Sequence, residues 1–371
     1  MTIYIHIPFC ISKCNYCDYY SIIANKEAIK KYINSLQTEL IKVASKYRNK
    51  EITSIFIGGG TPTSIDADHI VEILNKIKSN FNLSQNCEIS IEANPASNIN
   101  FSKLKETGIN RISFGVQSLN DEELRFLGRI HNANLAKETI KEAKKYFNNI
   151  NVDLIFSLPI QTISSLENTL EQVLELDVQH ISAYSLVFEE GTKLYNLLKN
   201  NQIKAKDNDE DAFFYNYIAN KLKTAGFVHY EVSNFAKSGF ECKHNLIYWE
   251  HKEYLGIGAA AYSFVDGRRF HNIKDVEKYC YLVDSGFSPI KQTEALSKEN
   301  IYMEKIFLGL RSSGIDFSIL SPQQQKFCET IVDKELAIIQ ILSNNMKILK
   351  LNSNGYFICD EITLKLLEMN S

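Results

Sequence analysis

Between residue 3 and about residue 190, short β-branched runs alternate with longer amphipathic segments rich in Lys and Glu, and that rhythm leaves few folds open. The runs are Ile3–Ile7, Ile52–Ile57, Glu88–Ala93, Arg111–Val116, Asn151–Phe156 and His180–Val187, with helical segments such as Lys26–Lys46 and Asp68–Asn80 between them. Repeated βα units build a parallel sheet. Polar motifs recur at the C-terminal ends of several runs and have to converge, so the pattern predicts an α/β fold built on a partial (β/α)6 barrel in preference to a doubly wound sheet. A chain of 371 residues, 44% apolar and 23% charged, can form one large domain and a smaller one.

The first run leads into Cys10, Cys14 and Cys17, spaced CxxxCxxC. Pro8 would end the ladder and release the cysteines into the loop at the strand's C-terminal end, where α/β barrels keep their chemistry. A cubane iron-sulfur cluster is normally held by four thiolates; a compact trio leaves one iron without a protein ligand, open to a cofactor. The alternative is zinc, but structural zinc wants four ligands, usually as two CxxC or CxxH pairs, and no second pair exists. Cys87, Cys242, Cys280, Cys328 and Cys359 stand alone, and a disulfide framework is not expected in a long chain with irregularly spaced cysteines.

A net charge of −3 offers no broad cationic surface, so nucleic-acid binding is not expected. No apolar run approaches the ~18 residues that cross a bilayer, and Met1 leads directly into the first strand; a cytoplasmic, reducing location is the expectation. Residues 1–190 read as the barrel core. Residues 191–290 are less regular, with one long helix near Asp207–Ala225, and are expected to extend or cap the barrel. Residues 291–371 show helical segments, then Met346–Leu351, a turn at Asn352–Gly355 and Tyr356–Cys359, which together predict a small winged-helix-like domain. Since no arginine follows Arg311, packing or dimerisation is favoured over DNA binding for this tail.

Other motifs add weight by position. Phe56-Ile57 leads into Gly58-Gly59-Gly60-Thr61-Pro62-Thr63, whose glycines let the backbone approach a ligand, and the missing GK[ST] ending rules out a P-loop. Glu92 ends the third run, Arg111 opens the fourth, Gln117 follows it, Arg129 lies in Leu127-Gly-Arg-Ile-His131, and Asp153 sits inside the fifth run. An acid in an apolar barrel strand is costly to bury unpaired. Singly, each residue reads as a salt bridge or cap; converging on one barrel mouth, they suit a zwitterionic, ribose-bearing ligand.

The order of these motifs, with Ile181-Ser-Ala-Tyr184, Glu190-Gly-Thr192, Tyr230-Glu-Val-Ser-Asn-Phe235, Cys242-Lys-His-Asn-Leu-Ile-Tyr248-Trp249 and Gly309-Leu-Arg311, resembles the radical S-adenosylmethionine enzymes related to anaerobic coproporphyrinogen III oxidase. The resemblance spans nearly the whole chain. It implies that Cys10, Cys14 and Cys17 hold a [4Fe-4S] cluster whose open iron is chelated by S-adenosylmethionine. It further implies that Gly59, Gly60 and Thr61 line the methionine moiety, that Tyr4 and Tyr16 flank the cluster, and that Glu92, Gln117, Arg129 and Asp153 bind the cofactor.

In the oxidase branch a fourth cysteine lies two residues after the third, and an N-terminal extension precedes the cluster. Here Tyr19 occupies that position and nine residues precede Cys10. The short form is instead similar to the family's heme-chaperone branch, in which His-Asn-x-x-Tyr is associated with heme; here it is His244-Asn245-Leu246-Ile247-Tyr248. A neutral imidazole is a common axial ligand of heme iron, so His244 and Tyr248 are the candidate heme contacts, and Cys242 is either a thiolate ligand or buried. His244 bonded to backbone, with Tyr248 packed beside Trp249, is the plain structural alternative. The resemblance thus implies heme as ligand, a heme-accepting respiratory apoprotein as partner, a low-potential electron donor, and at most transient membrane contact. Oxidative decarboxylation of coproporphyrinogen is the second reading; radical chemistry on another substrate, such as RNA, is the third.

Overall fold

The structure, a computed structural model, describes residues 1–369. They form two compact units, one of residues 1–206 and 253–295, the other of residues 207–252 and the described residues from 296 onward.

The first unit is built on six strands: β1 (Thr2–Ile7), β2 (Glu51–Gly59), β3 (Asn82–Ala93), β4 (Arg111–Gln117), β5 (Ile150–Phe156) and β6 (His180–Ser185). Each pairs in parallel with the next, and β6 does not return to β1, so the barrel is partial and open. All six predicted runs are strands, differing only at their ends. One face of every strand is apolar and sealed: Ile3, Ile5, Ile57, Ile91, Ile112, Phe114, Val152 and Ile181 are fully buried. Helices cover that face, each started by a side-chain cap. Asn25 caps Lys26–Tyr47, Asp66 caps Ala67–Asn80, Asn120 caps Asp121–Leu127, and Thr162 closes a capping box on Ile163–Glu175.

Two strands, β7 (Val228–Glu231) and β8 (Asn234–Ala236), fall in the second unit. The chain then supplies β9 (Tyr254–Ile257), β10 (Tyr262–Val265), β11 (Arg268–Asn272) and β12 (Ile290–Ala295) to the first. β9 joins β1 in parallel, and β10, β11 and β12 follow antiparallel, so the sheet grows outward past β1. The segment 191–290, read from sequence as one extension or cap, is therefore divided: 253–290 widens the sheet, and 207–252 belongs to the other unit. Glu39 fastens the widened edge to the Lys26–Tyr47 helix. Its buried carboxylate accepts from Gly258 N–H at 2.9 Å, Asn272 Nδ2 at 2.7 Å and the Tyr279 hydroxyl at 2.6 Å.

In the second unit, helices Lys298–Gly309 and Pro322–Asp333 surround a three-stranded antiparallel sheet of β13 (Ile315–Asp316), β14 (Ala337–Ile341) and β15 (Lys347–Leu351), ordered β13-β15-β14. The hairpin lies one strand earlier than expected. Its turn is at 342–346, and the expected turn at Asn352–Gly355 is the start of a helix, Ser353–Phe357. Asn352 Oδ1 accepts from Asn354 N–H at 3.0 Å and Gly355 N–H at 3.2 Å, which converts a turn-like composition into an N-cap. Of Tyr356–Cys359, expected to pair, Tyr356 and Phe357 complete that helix and Cys359 begins the next, Cys359–Glu368.

Candidate functional site at the barrel mouth

The cysteine loop leaves β1 at Pro8 and is closed on itself by backbone bonds. Ile22 N–H donates to Pro8 O at 2.7 Å and Cys10 N–H to Ile22 O at 3.0 Å. Cys10, Cys14 and Cys17 are free, half-buried thiols; the other five cysteines are buried. Burial pushes the Cys17 thiol up to about 11, so holding it as thiolate calls for a bound cation. Among the described residues no three His, Cys, Asp or Glu side chains gather around a single metal ion. A cubane asks for something different, since each thiolate binds its own iron.

Asn15 ties the middle of this loop down. Its N–H donates to Leu127 O at 2.9 Å, its Nδ2 to Phe126 O at 2.8 Å, and its carbonyl accepts from Leu194 N–H at 2.9 Å. Gly128, at φ 72°, lies against the Asn15 side chain, where a Cβ would come within 2.8 Å. Asn15 did not stand out in the sequence, and Gly128 did so only as part of Leu127-Gly-Arg-Ile-His131. Tyr16 packs against the apolar cluster of Leu127, Ile155, Leu158, Leu186 and Leu194.

The glycine run meets the loop directly. Gly60 N–H donates to Ile7 O at 2.9 Å, Thr61 N–H to Phe9 O at 2.7 Å, and the Thr61 hydroxyl lies 3.6 Å from Cys10 Sγ. Gly59 has φ 117° and would drive a Cβ to 2.7 Å from the His6 ring. That ring is held by the Tyr4 hydroxyl at Nδ1, 3.0 Å, and by Tyr20 O at Nε2, 3.2 Å, so Tyr4, His6 and the end of the cysteine loop form one unit beneath the glycines.

The concave face of the sheet is polar by alternation, interrupted on β4 where the register slips between Gly115 and Gln117: Ser90 and Glu92 on β3, Arg111, Ser113, Gly115 and Gln117 on β4, Asn151 and Asp153 on β5, His180 and Ser182 on β6. Asp153 accepts from Ser113 Oγ at 3.1 Å and Asn151 Nδ2 at 2.7 Å, while Asn151 Oδ1 faces His180 Nδ1 at 2.6 Å. Glu92 accepts from Gly59 N–H at 3.0 Å; burial, and then the nearby Asp153, push its carboxyl up to about 8. Arg129 reaches in from the loop after the helix Asp121–Leu127. Its Nη1 donates to Cys14 Sγ at 3.2 Å and its Nη2 to Gly115 O, and its buried Nε has no partner among the described residues.

The structure thus brings Cys10, Cys14, Cys17, Gly59, Gly60, Thr61, Glu92, Gln117, Arg129, Asp153, Tyr4 and Tyr16 to the same unit, around the C-terminal ends of β1 to β5. These residues fit the implied cluster and S-adenosylmethionine on three counts: free thiols at one rim, a glycine cradle where side chains would collide, and a buried guanidinium N–H left unsatisfied.

His244 and Tyr248 lie in the second unit on the helix Lys243–Trp249. Separated by one helical turn, they are joined by a 2.9 Å contact between His244 Nε2 and the Tyr248 hydroxyl, and His244 is almost wholly buried. Cys242 is fully buried at the start of that helix, its N–H donating to the Tyr230 hydroxyl at 3.2 Å. No helix among the described residues is long and apolar enough to cross a membrane.

Residues 4–173 match the Radical SAM superfamily. The chain is 34% identical to the heme chaperone HemW of Bacillus subtilis over 367 residues, 97% of both chains. It is 37% identical to that of Lactococcus lactis over 84% of this chain and 82% of that one. Among solved structures it is similar to coproporphyrinogen III oxidase (HemN) of Escherichia coli, with a TM-score of 0.81 at 22% identity, covering 98% of this chain and 89% of the other, a likeness of fold. The chain belongs to the HemW family of radical S-adenosylmethionine proteins.

Proposed function

We propose that the protein is a heme chaperone that binds heme, carries a [4Fe-4S] cluster with S-adenosylmethionine in its open barrel, and transfers heme to an acceptor protein. The observation that carries the reading is the 34% identity to a heme chaperone over a span covering 97% of both chains. Cys10, Cys14 and Cys17 would hold the cluster. Gly59, Gly60 and Thr61 would line the methionine moiety, Glu92, Gln117, Arg129 and Asp153 would bind the remaining polar groups, and Tyr4 and Tyr16 would flank the centre. Bound there, the cluster and its ligand supply one-electron chemistry. The chain's own part is to orient: Arg129 spans from the Cys14 sulfur to the Gly115 carbonyl, and Glu92, held by Gly59 N–H, keeps an acid at the pocket wall.

His244 and Tyr248 are the proposed heme contacts. His244 Nε2 would hold heme iron in place of its present contact with the Tyr248 hydroxyl, and the (i, i+4) spacing would keep that phenol next to the imidazole. The acceptor, the low-potential electron donor and any brief membrane contact belong to the same proposal. Oxidation of coproporphyrinogen takes second place, because Tyr19, more than half exposed, occupies the fourth-cysteine position.

Anaerobic reconstitution followed by hemin titration tests this reading. A stoichiometric Soret shift that disappears in His244→Ala is expected. No shift in the intact protein defeats the chaperone reading, an unchanged shift in the variant defeats the ligand assignment, and protoporphyrinogen formed from coproporphyrinogen restores the oxidase.

A further inference from the structure

The Leu127–His131 segment does more than deliver Arg129. Arg129 Nη2 donates to Gly115 O, and His131 Nε2 lies 3.1 Å from Val116 O, so two residues of one loop grip consecutive carbonyls of β4. The ladder slips at that point: Gly115 faces Asp153 while Gln117 faces Leu154, leaving Val116 as the extra residue of a bulge. Gln117 takes φ 71°, the left-handed region that a residue with a Cβ seldom adopts. A carbonyl expelled from the ladder inside the protein needs another donor, and His131, only 4% exposed, is placed to be that donor.

The protonation state is fixed by the partners. A carbonyl only accepts, so Nε2 carries the hydrogen, and Nδ1, buried with no partner among the described residues, is the bare nitrogen. Burial, then the neighbouring Arg129, push the imidazole pKa down to about 4, which keeps the ring neutral. The bulge has a visible product as well. A Cβ built on Gly115 would come within 2.9 Å of Gln117 Nε2 and 3.4 Å of Arg129 Nη2, so the amide and the guanidinium lie together over Gly115.

We propose that His131 is the positioning residue for Gln117: by holding the Val116 carbonyl out of the ladder, it fixes the bulge that sets the Gln117 amide beside Arg129 in the S-adenosylmethionine pocket. The inference rests on the reading of Gln117 as a cofactor contact. His131 itself touches no cofactor, and its effect passes through the backbone.

The test measures S-adenosylmethionine affinity by equilibrium dialysis on reconstituted protein, beside iron and sulfide content and thermal unfolding of the apoprotein. His131→Met removes the donor at similar volume; His131→Gln keeps an N–H at comparable reach. The Met variant is expected to bind S-adenosylmethionine about three- to tenfold more weakly at unchanged iron content, with the Gln variant near wild type. In a Gln117→Asn background, whose shorter amide still tolerates left-handed backbone, His131→Met is expected to cost nothing further. Met and Gln variants losing affinity equally, wild-type affinity in the Met variant, or a full additional loss in the Gln117→Asn background each overturns the inference. A Met variant too unstable to reconstitute leaves the Gln variant and its Gln117→Asn double to decide: weak binding by the former at full iron content overturns the inference, near-wild-type binding with no added loss in the double upholds it. Wild-type protein that holds its cluster yet binds no S-adenosylmethionine removes the cofactor reading itself, a different failure because no variant is involved.

Discussion

Replacing Gly60 with alanine is the sharpest probe of how the glycine run and the cysteine loop depend on each other. A Cβ at Gly60 would stand 2.6 Å from Phe9 O, 2.9 Å from the Phe9 carbonyl carbon and 3.0 Å from Cys10 Sγ. Two of these are backbone atoms, so no side chain can swing aside. Gly60 N–H is meanwhile bonded to Ile7 O and Thr61 N–H to Phe9 O, which pins both strands of the contact. Reaching ordinary van der Waals distance requires Phe9 O and Gly60 to part by roughly 0.8 Å, an overpacking strain of about 1–3 kcal/mol if the bonds persist. Where they break, the strain moves into residues 9–10 and displaces Cys10. Gly60→Ala is therefore expected to lose about 1–3 kcal/mol in urea unfolding of the reduced apoprotein, or to keep its stability and fail to take up iron and sulfide anaerobically. A variant within about 0.5 kcal/mol of wild type that also assembles a full cluster refutes the reasoning.

Three further outcomes follow from the same geometry. Glu92 holds its proton up to about 8 in the folded state against 4.5 for the free acid, so its contribution to stability is complete below about 4.5 and is lost as pH rises through about 8; Glu92→Gln should remove that decline, by up to a few kcal/mol at pH 8, and parallel stability curves for variant and wild-type apoprotein count against it. Trp249, the single tryptophan, follows Tyr248 directly, so its fluorescence should be quenched in step with the Soret change as hemin is added; a Soret change without quenching places the heme elsewhere. Asn15→Ala leaves the Phe126 carbonyl without its side-chain donor, and a loss of about 1 kcal/mol with faster loss of cluster iron in air is expected; equal iron-release rates in variant and wild type dismiss the clamp.

What could be read in the sequence follows physical visibility. The six barrel strands are rich in Ile, Val and Phe because one face of each is sealed under helices, and such runs stand out against Lys/Glu-rich helices. β12 has no such signature: all six of its residues are exposed, and Ile290-Lys-Gln-Thr-Glu-Ala reads as linker. Gly256 and Gly258 interrupt and end β9, which disguises it as loop. In the tail, Asn352 and Gly355 carry turn composition, and only the tertiary setting shows a cap; a Cβ on Gly355 would sit 2.1 Å from Leu336 O, so that glycine answers to packing rather than to a turn. Glu39 was likewise invisible, since a Glu in a charged amphipathic helix reads as solvent-facing, whereas here it is buried with three donors around its carboxylate.

At the site, the motifs were legible because they break an apolar background, while the residues that hold them were not, because each looks ordinary alone. The concave face shows the difference. Towards the N-terminal ends of its strands, Ser113, Asn151, His180 and Ser182 bond to one another and to Asp153 at the middle of β5, so burying them costs little beyond conformational entropy. Towards the C-terminal ends, the Arg129 Nε–H has no partner among the described residues and Glu92 accepts a bond from the Gly59 backbone N–H. A buried donor left unsatisfied is one that a bound polar group would answer, and the Arg129 Nε–H beside the cysteine loop is the feature that supports the proposed binding end.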